Sequence, residues 1–154
     1  MRALVLFAVL AVAVPDRPDP TPKKDVMPLQ EQLQGEWRMF KATAGGGDEN
    51  PQKVEGTVLV VKDKNMAIRE AGRNHTEDVA FTLDETKKPV AIDLMPGRGD
   101  PKNGREIVPG IIQIEGDILT ICFHKGGGGG MRPREFASPA GSEFSVLQFR
   151  RVRK

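Results

Sequence analysis

Three side chains in this sequence could seed a metal site or a nucleophilic site: His75, Cys122 and His124. Cys122 and His124 are two residues apart in an alternating segment, so they point to the same face of a strand. Their side chains are then roughly 7 Å apart, which is beyond hydrogen-bond reach for a cysteine–histidine dyad. Zinc would need further ligands, and no second Cys or His pair stands at ligand spacing. We expect a buried or half-buried cysteine, a surface histidine, no metal and no cofactor.

The remaining polar motifs do not predict catalysis or nucleic-acid binding. The glycine run 126–130 is followed by Met131-Arg132-Pro133, whereas a phosphate-binding loop needs Lys-Ser/Thr and a helix at that point. The basic C-terminal end has no interleaved aromatic residues for base stacking. Carboxylates fall mainly in turns and opposite aliphatic residues. An enzyme would need a site assembled in three dimensions that spacing does not show, and we expect none.

The N-terminus has the pattern of a short signal peptide. Met1-Arg2 precedes an apolar run from Ala3 to Val14, and Ala11-Val12-Ala13 is a small-x-small cleavage site. The run is shorter than the roughly 20 residues of a spanning helix, so we expect no stable membrane insertion after cleavage. A buried core helix is the alternative, but four prolines between residues 15 and 22 disfavour it. We expect residues 1–13 to direct export to the periplasm, cell envelope or medium.

Charge and cysteine content indicate what kind of surface and core the protein has. The chain has 154 residues, with 23 basic and 21 acidic side chains interspersed, which is typical of a solvated surface rather than a nucleic-acid footprint. Cys122 is the only cysteine, so the domain must be stabilised by its core without a disulfide. Residues 14–28 form a proline-rich linker, and residues 29–154 have the size of one domain, expected to be a monomer.

From Trp37 onward, apolar residues recur with a period of two, the pattern of half-buried strands. A short helix precedes them, in which Pro28 suits the first position, Leu29 and Leu33 share a face, and Gly35 marks the end. Eight strands follow, or nine if the short segment 132–136 is included, with no helical interruption. Such a meander most simply closes into an up-and-down antiparallel β-barrel, so we predict an all-β barrel of eight to nine strands.

Several sequence blocks occur in a fixed order: Leu33-Gln34-Gly35-Glu36-Trp37, Ile92-Asp93-Leu94, Gly110-Ile111-Ile112, Gly116-Asp117, Leu119 to Phe123, Arg132-Pro133-Arg134-Glu135-Phe136 and Arg151-Val152. Together they resemble the lipocalin-type barrel, and more closely a lipocalin-like domain family abundant in planctomycete bacteria. The resemblance implies a barrel with Trp37 across its floor and a basic residue of the last strand packed over it. That residue is Arg151, or Arg150 if the register shifts by one. Leu33 and Gly35 are then structural residues as well.

The predicted barrel interior is aliphatic and carries no ionisable group. Its candidate ligand-binding residues are Phe81, Ile92, Leu94, Ile112, Ile114, Leu119, Ile121 and Phe123, with Val79, Leu83 and Val90 on the same inward face. One hypothesis is a binding module for a small apolar ligand, because such barrels can have an open end. The alternative is a structural or protein-interaction module of the cell envelope whose barrel is filled by its own side chains.

Overall fold

The computed structural model describes residues 27–70, 72, 76–97, 106–126 and 130–153. The predicted signal peptide 1–13, residues 14–26 of the linker, His75 and glycines 127–129 lie outside these residues. Residues 71, 73, 74, 98–105 and 154 do so too. The predictions made for those segments therefore stay predictions.

The described residues form nine strands and two short helices. In chain order they are α1 (Leu29–Gln32), β1 (Gly35–Ala44), β2 (Gly47–Asp48), α2 (Pro51–Val54), β3 (Val58–Lys62), β4 (Asn65–Arg69), β5 (Thr76–Asp84), β6 (Val90–Pro96), β7 (Val108–Glu115), β8 (Ile118–His124) and β9 (Phe144–Arg151).

Eight of the strands close into an antiparallel barrel. They are hydrogen-bonded in the order β1, β3, β4, β5, β6, β7, β8, β9, and β9 pairs back onto β1. The two-residue strand β2 pairs with the end of β1 and stands outside this ring. Closure leaves no barrel strand with an unpaired edge, which is how a meander of this length avoids edge-to-edge aggregation. The predicted all-β, up-and-down barrel is confirmed.

The core lies inside the barrel and is built from the alternation that the sequence shows. All eleven side chains predicted to point inward belong to this interior cluster. Strands β1, β3, β4 and β9 add further inward side chains, and the most buried of these are Trp37, Leu59, Val61, Met66 and Phe149.

Two sequence-based expectations about the elements are wrong. The strands are interrupted by a helix, α2, whose first turn is capped: the Asn50 side chain accepts a hydrogen bond from the Gln52 N–H, and Pro51 occupies the first helical position. Asn followed by Pro is a recognised helix start, so the signal was present in the sequence. The segment 132–136 forms no strand, and the ninth strand is β2 instead.

The entrance to β1 differs from the prediction in its bounds: α1 ends at Gln32, and Gly35 is the first residue of β1, two residues before Trp37. Pro28 precedes α1 rather than forming its first residue. Gly35 has φ +117°, a backbone conformation that L side chains rarely adopt, while a Cβ there would meet the nearest atom at an ordinary 3.9 Å. The position therefore requires glycine for its backbone conformation rather than for space.

Candidate functional site

One end of the barrel is closed by Trp37. Its side chain is fully buried, and the indole Nε1 donates a 2.8 Å hydrogen bond to the Leu33 carbonyl at the end of α1. Leu33 is itself fully buried, so α1 is held across this end by packing as well as by the hydrogen bond. The only polar atom of the indole ring is thus satisfied, and a large aromatic side chain can be buried here without an unpaired donor.

Arg151 completes the closed end. The β1–β9 register sets Trp37 opposite Arg151, and the guanidinium carbon lies 4.1 Å from the centre of the indole ring. Its two terminal nitrogens donate to the carbonyls of Gln32 (2.6 Å) and Gln34 (3.2 Å), which have no intrahelical partner at the end of α1. Arg150 points to the outer face and lies over Phe40 at 5.3 Å. The arginine that covers Trp37 is therefore Arg151.

Above this floor the barrel is filled. Phe81, Ile92, Ile112 and Leu119 are at most 1 % exposed and pack against one another in the interior cluster. Ile114 is partly buried against the same cluster. These five side chains are among the candidates for ligand contact, but none of them lines the interior cavity described below. Their role in the structure is to fill the core.

Toward the other end the interior contains an open cavity of about 220 Å³. Its wall is formed by seven strands, β3 to β9. The lining residues are Leu59, Met66, Ile68, Glu77, Val79, Leu94, Pro96, Val108, Ile121, Phe123, Leu147 and Phe149. Eleven of these twelve are apolar, so a molecule in the cavity would contact almost only carbon and sulfur atoms.

Strand direction shows which end the cavity faces. The turn between β3 and β4 lies at the closed end, where Gln34 exchanges hydrogen bonds with the backbone of Asp63. The cavity is instead lined by Glu77 and Val108, near the starts of β5 and β7, and by Pro96, the last residue of β6. Because neighbouring strands run antiparallel, these positions meet at the end away from Trp37. The cavity therefore opens at the end of the barrel opposite the tryptophan.

Sequence reasoning found part of this lining. Leu94, Ile121 and Phe123 were candidates and line the cavity, and Val79 was assigned to the inward face. Leu59, Met66, Ile68 and Pro96 are not among the predicted inward residues. Glu77 is not among them either, because its charge hides its place in the inward row of β5.

Cys122 lies on the outer face of the barrel under the segment 130–143, which we call the outer strap. It is fully buried against Ile111 and Val146, with Phe136 of the strap packed on the same cluster. The thiol contacts the Ala137 carbonyl at 3.7 Å. Burial raises the pKa of Cys122 to about 11, because a thiolate would lose its hydration there. This cysteine is a free thiol in an environment that suppresses its reactivity.

His124 is not the surface histidine that the sequence suggested. Its side chain is 15 % exposed, Nδ1 accepts a 3.1 Å hydrogen bond from the Gly126 N–H, and Nε2 lies 3.2 Å from the Glu143 carboxylate. Phe144 meets the imidazole edge-on, with 5.7 Å between the ring centres. Nδ1 is thus engaged by the backbone just after β8 and Nε2 by Glu143, the last residue of the outer strap. Both imidazole nitrogens are therefore occupied by groups other than the Cys122 thiol.

Arg132 fastens the beginning of the outer strap to the barrel wall. Its Nη1 donates to the carbonyls of Ile92 (2.8 Å) and Gly110 (2.7 Å), and its Nη2 pairs with Asp93 at 2.6 Å. A Cβ at Gly110 would lie 2.7 Å from the Cys122 carbonyl oxygen, so this wall needs glycine for close strand packing. Beside Arg132 an open groove of about 480 Å³ runs along the outer faces of β5, β6 and β7.

The described part of the chain does not offer a metal centre. Nowhere in residues 27–70, 72, 76–97, 106–126 and 130–153 do three His, Cys, Asp or Glu side chains come together in a way that could hold a metal ion. Over the same ranges no helix is long and apolar enough to cross a membrane. No protein-family model, curated protein or solved structure matches this chain.

Proposed function

We propose that this protein is an exported, non-catalytic module that binds a small apolar molecule in the open end of its barrel. The observation that carries the proposal is the apolar cavity of about 220 Å³ that opens opposite Trp37. An apolar ligand entering it would exchange water contacts for contacts with Leu, Val, Ile, Met and Phe side chains. That exchange is favourable by about 25 cal/mol per Å² of apolar surface removed from water.

The size of the cavity limits the ligand. Drug-sized ligands occupy sites of roughly 300–1,000 Å³, whereas an apolar cavity of about 150 Å³ holds a molecule the size of benzene. At about 30 Å³ for each water-sized group, 220 Å³ corresponds to about seven such groups. The proposal is therefore a short aliphatic chain or a single ring, not a long lipid.

The lining suits such a ligand. Met66 has an unbranched, polarisable side chain that can adapt to different apolar shapes. The filled layer below, including Phe81 and Ile92, gives the cavity a rigid base. A pre-formed site of this kind loses little ordering entropy when the ligand binds.

Export is part of the same proposal. The n-region Met1-Arg2, the apolar run and the Ala11-Val12-Ala13 site have the signal-peptide pattern, and residues 14–28 then act as a proline-rich tether for a monomeric barrel. Protein recovered from its native host should begin at or near Val14 by N-terminal sequencing. An intact Met1 in the cytosol would contradict export while leaving the binding proposal standing.

The second candidate function is a structural or protein-interaction module of the cell envelope. The groove beside Arg132 favours it, because Lys87, Lys88 and Arg134 line the same concave outer surface as Asp84 and Asp93. Contacts made there would need no occupant in the barrel. The two candidates therefore differ in whether the interior cavity takes up a ligand.

Isothermal titration with 1-alkanols of increasing length tests the binding proposal. Each methylene buried should improve affinity by about 0.8 kcal/mol, or about fourfold, until the cavity is full. We expect saturable binding of one molecule per chain, with a plateau near the length of 1-heptanol or 1-octanol. Absence of saturable binding for the whole series, together with no small molecule retained in native mass spectra of protein from its own host, would favour the structural module.

A further inference from the structure

Resting on the proposed function, we propose that the ligand carries an amine or other cationic hydrogen-bond donor at its exposed end, and that Glu77 receives it. The ligand class is thus a short amphipathic amine, with its carbon chain in the cavity and its ammonium group at the mouth. Glu77 would then decide which charged end group the site accepts.

Strand geometry turns Glu77 toward the mouth. On β5 it stands two residues before Val79 and four before Phe81, and both of these belong to the interior cluster. Its partner in the β4–β5 register is Ile68, another cavity-lining residue. The neighbouring Asp78 pairs with Ala67 and alternates to the outer face. Of two adjacent carboxylates, only Glu77 belongs to the cavity.

Glu77 is also the one ionisable residue among the described side chains that line the cavity, and within that part of the chain it has no ion pair or hydrogen-bond partner. Glu70 and Glu106, which lie in the segments next to β4 and β7, each interact with another group. Arg69, the cation at the end of β4, follows Ile68 and so alternates to the outer face. The carboxylate of Glu77 is therefore available to a ligand.

The apolar cavity and the Glu77 carboxylate together should select among ligands by charge. A neutral chain gains only from apolar contact, and a carboxylate ligand would place two negative charges near one another at the mouth. An ammonium group can donate hydrogen bonds to Glu77 while its chain fills the cavity, so no charged or polar group has to be buried unpaired. Because Glu77 is exposed, we expect an effect of about fivefold in affinity rather than several orders of magnitude.

The test compares three ligands of one chain length, octylammonium, 1-octanol and octanoate, by isothermal titration at neutral pH and low salt. Wild-type protein should bind octylammonium about fivefold more tightly than octanoate, and 1-octanol serves as the uncharged reference. Glu77→Gln should remove that preference and leave 1-octanol affinity within about twofold. Asp78→Asn is the matched control, because it removes the same charge from the next residue on the outer face, and it should retain the preference.

The outcomes separate this inference from the binding proposal. If none of the three ligands binds to wild-type protein, the proposed function itself fails. If 1-octanol binds but octanoate is preferred, or if Glu77→Gln and Asp78→Asn change the preference equally, the role of Glu77 is wrong while the apolar site stands. Thermal unfolding followed by Trp37 fluorescence shows whether each variant is folded before its affinities are compared.

Discussion

The two ends of this barrel are built from the same alternating strands, yet one is sealed and the other holds a cavity. At the sealed end an indole, a guanidinium and a short helix meet. The indole nitrogen and both terminal nitrogens of the guanidinium donate hydrogen bonds to backbone carbonyls. At the open end the residues that line the cavity are mainly Val, Leu, Ile, Met and Phe, with Glu77 at the mouth, and no Trp–Arg pair bridges the strands. A barrel of about eight strands is just wide enough for side chains to fill, so filling depends on which side chains are used.

The difference between the two ends also separates the residues that stabilise the barrel from those that would contact a ligand. Trp37 and Leu33 at the closed end are completely buried, so they should contribute most to the free energy of unfolding. Side chains around the cavity already lack neighbours on one side and have less packing to lose. Substitutions at the two ends should therefore have different effects, which the following experiments measure.

The largest effect is expected from Trp37→Ala. It removes a fully buried aromatic side chain and the hydrogen bond to Leu33, and leaves Arg151 without the ring beneath it. The free energy of unfolding should fall by about 3–5 kcal/mol in urea denaturation followed by circular dichroism. A loss below about 1 kcal/mol would mean that the closed end does not hold the barrel together.

A matched pair of leucines compares the two ends directly. Leu119→Ala removes a fully buried side chain from the filled layer, whereas Leu94→Ala enlarges a cavity that already exists. We expect losses of about 4 and about 2 kcal/mol respectively, because the cost of truncation grows with how completely the site is packed. Equal losses, measured by the same denaturation experiment, would remove the distinction between the ends.

The two neighbouring arginines provide the next comparison. Arg151→Ala deletes the cation over Trp37 and the hydrogen bonds to Gln32 and Gln34, so it should cost about 1–3 kcal/mol. Arg150→Ala, on the outer face over Phe40, should cost less than about 1 kcal/mol. Chemical denaturation measures both, and the reverse order would show that Arg150 covers the tryptophan.

The next comparison concerns Cys122, whose contribution to stability depends on pH. With its pKa raised to about 11 against an ordinary 9.0, the thiol should hold about a hundredfold less thiolate at pH 8 in the folded than in the unfolded protein. Iodoacetamide should therefore label native protein at least that much more slowly than protein in urea. Because the folded pKa is the higher one, Cys122 supports folding fully below pH 9 and loses this contribution as the pH rises toward 11.

Cys122→Ser gives the control for that experiment. It should cost about 1 kcal/mol, leave alkanol binding unchanged and remove the cysteine-dependent part of the alkaline stability loss. Rapid labelling of the native protein at pH 8 would show that the outer strap does not cover the thiol.

The sequence predicted the barrel well because its signal repeats in every strand. Period-two alternation places Phe81, Ile92 and Leu119 inside regardless of exact strand ends, and the Trp37–Arg151 contact follows from the resemblance and from one choice of register. These features are local or periodic, so they can be read without coordinates.

The cavity could not be predicted in this way. Alternation predicts that Leu94 and Ile112 both point inward. Their positions along the barrel axis make Ile112 fully buried and place Leu94 at the cavity, and alternation does not contain this information. The β-bulge between Met39 and Lys41 also changes the inward face of β1 without a clear sequence signal. Glu77 was not predicted because a charged residue breaks the apolar pattern where the inward row of β5 reaches the mouth of the cavity.

The most direct test of the central claim places one tryptophan inside and one outside the mouth. Val108 lines the cavity, while its neighbour Ile107 is 47 % exposed and does not. Val108→Trp should fill the space and weaken 1-octanol binding at least tenfold in isothermal titration. Ile107→Trp adds the same side chain beside the site and should leave the affinity within about twofold of wild type. Equal affinities for both variants and the wild-type protein would show that the ligand does not occupy the barrel.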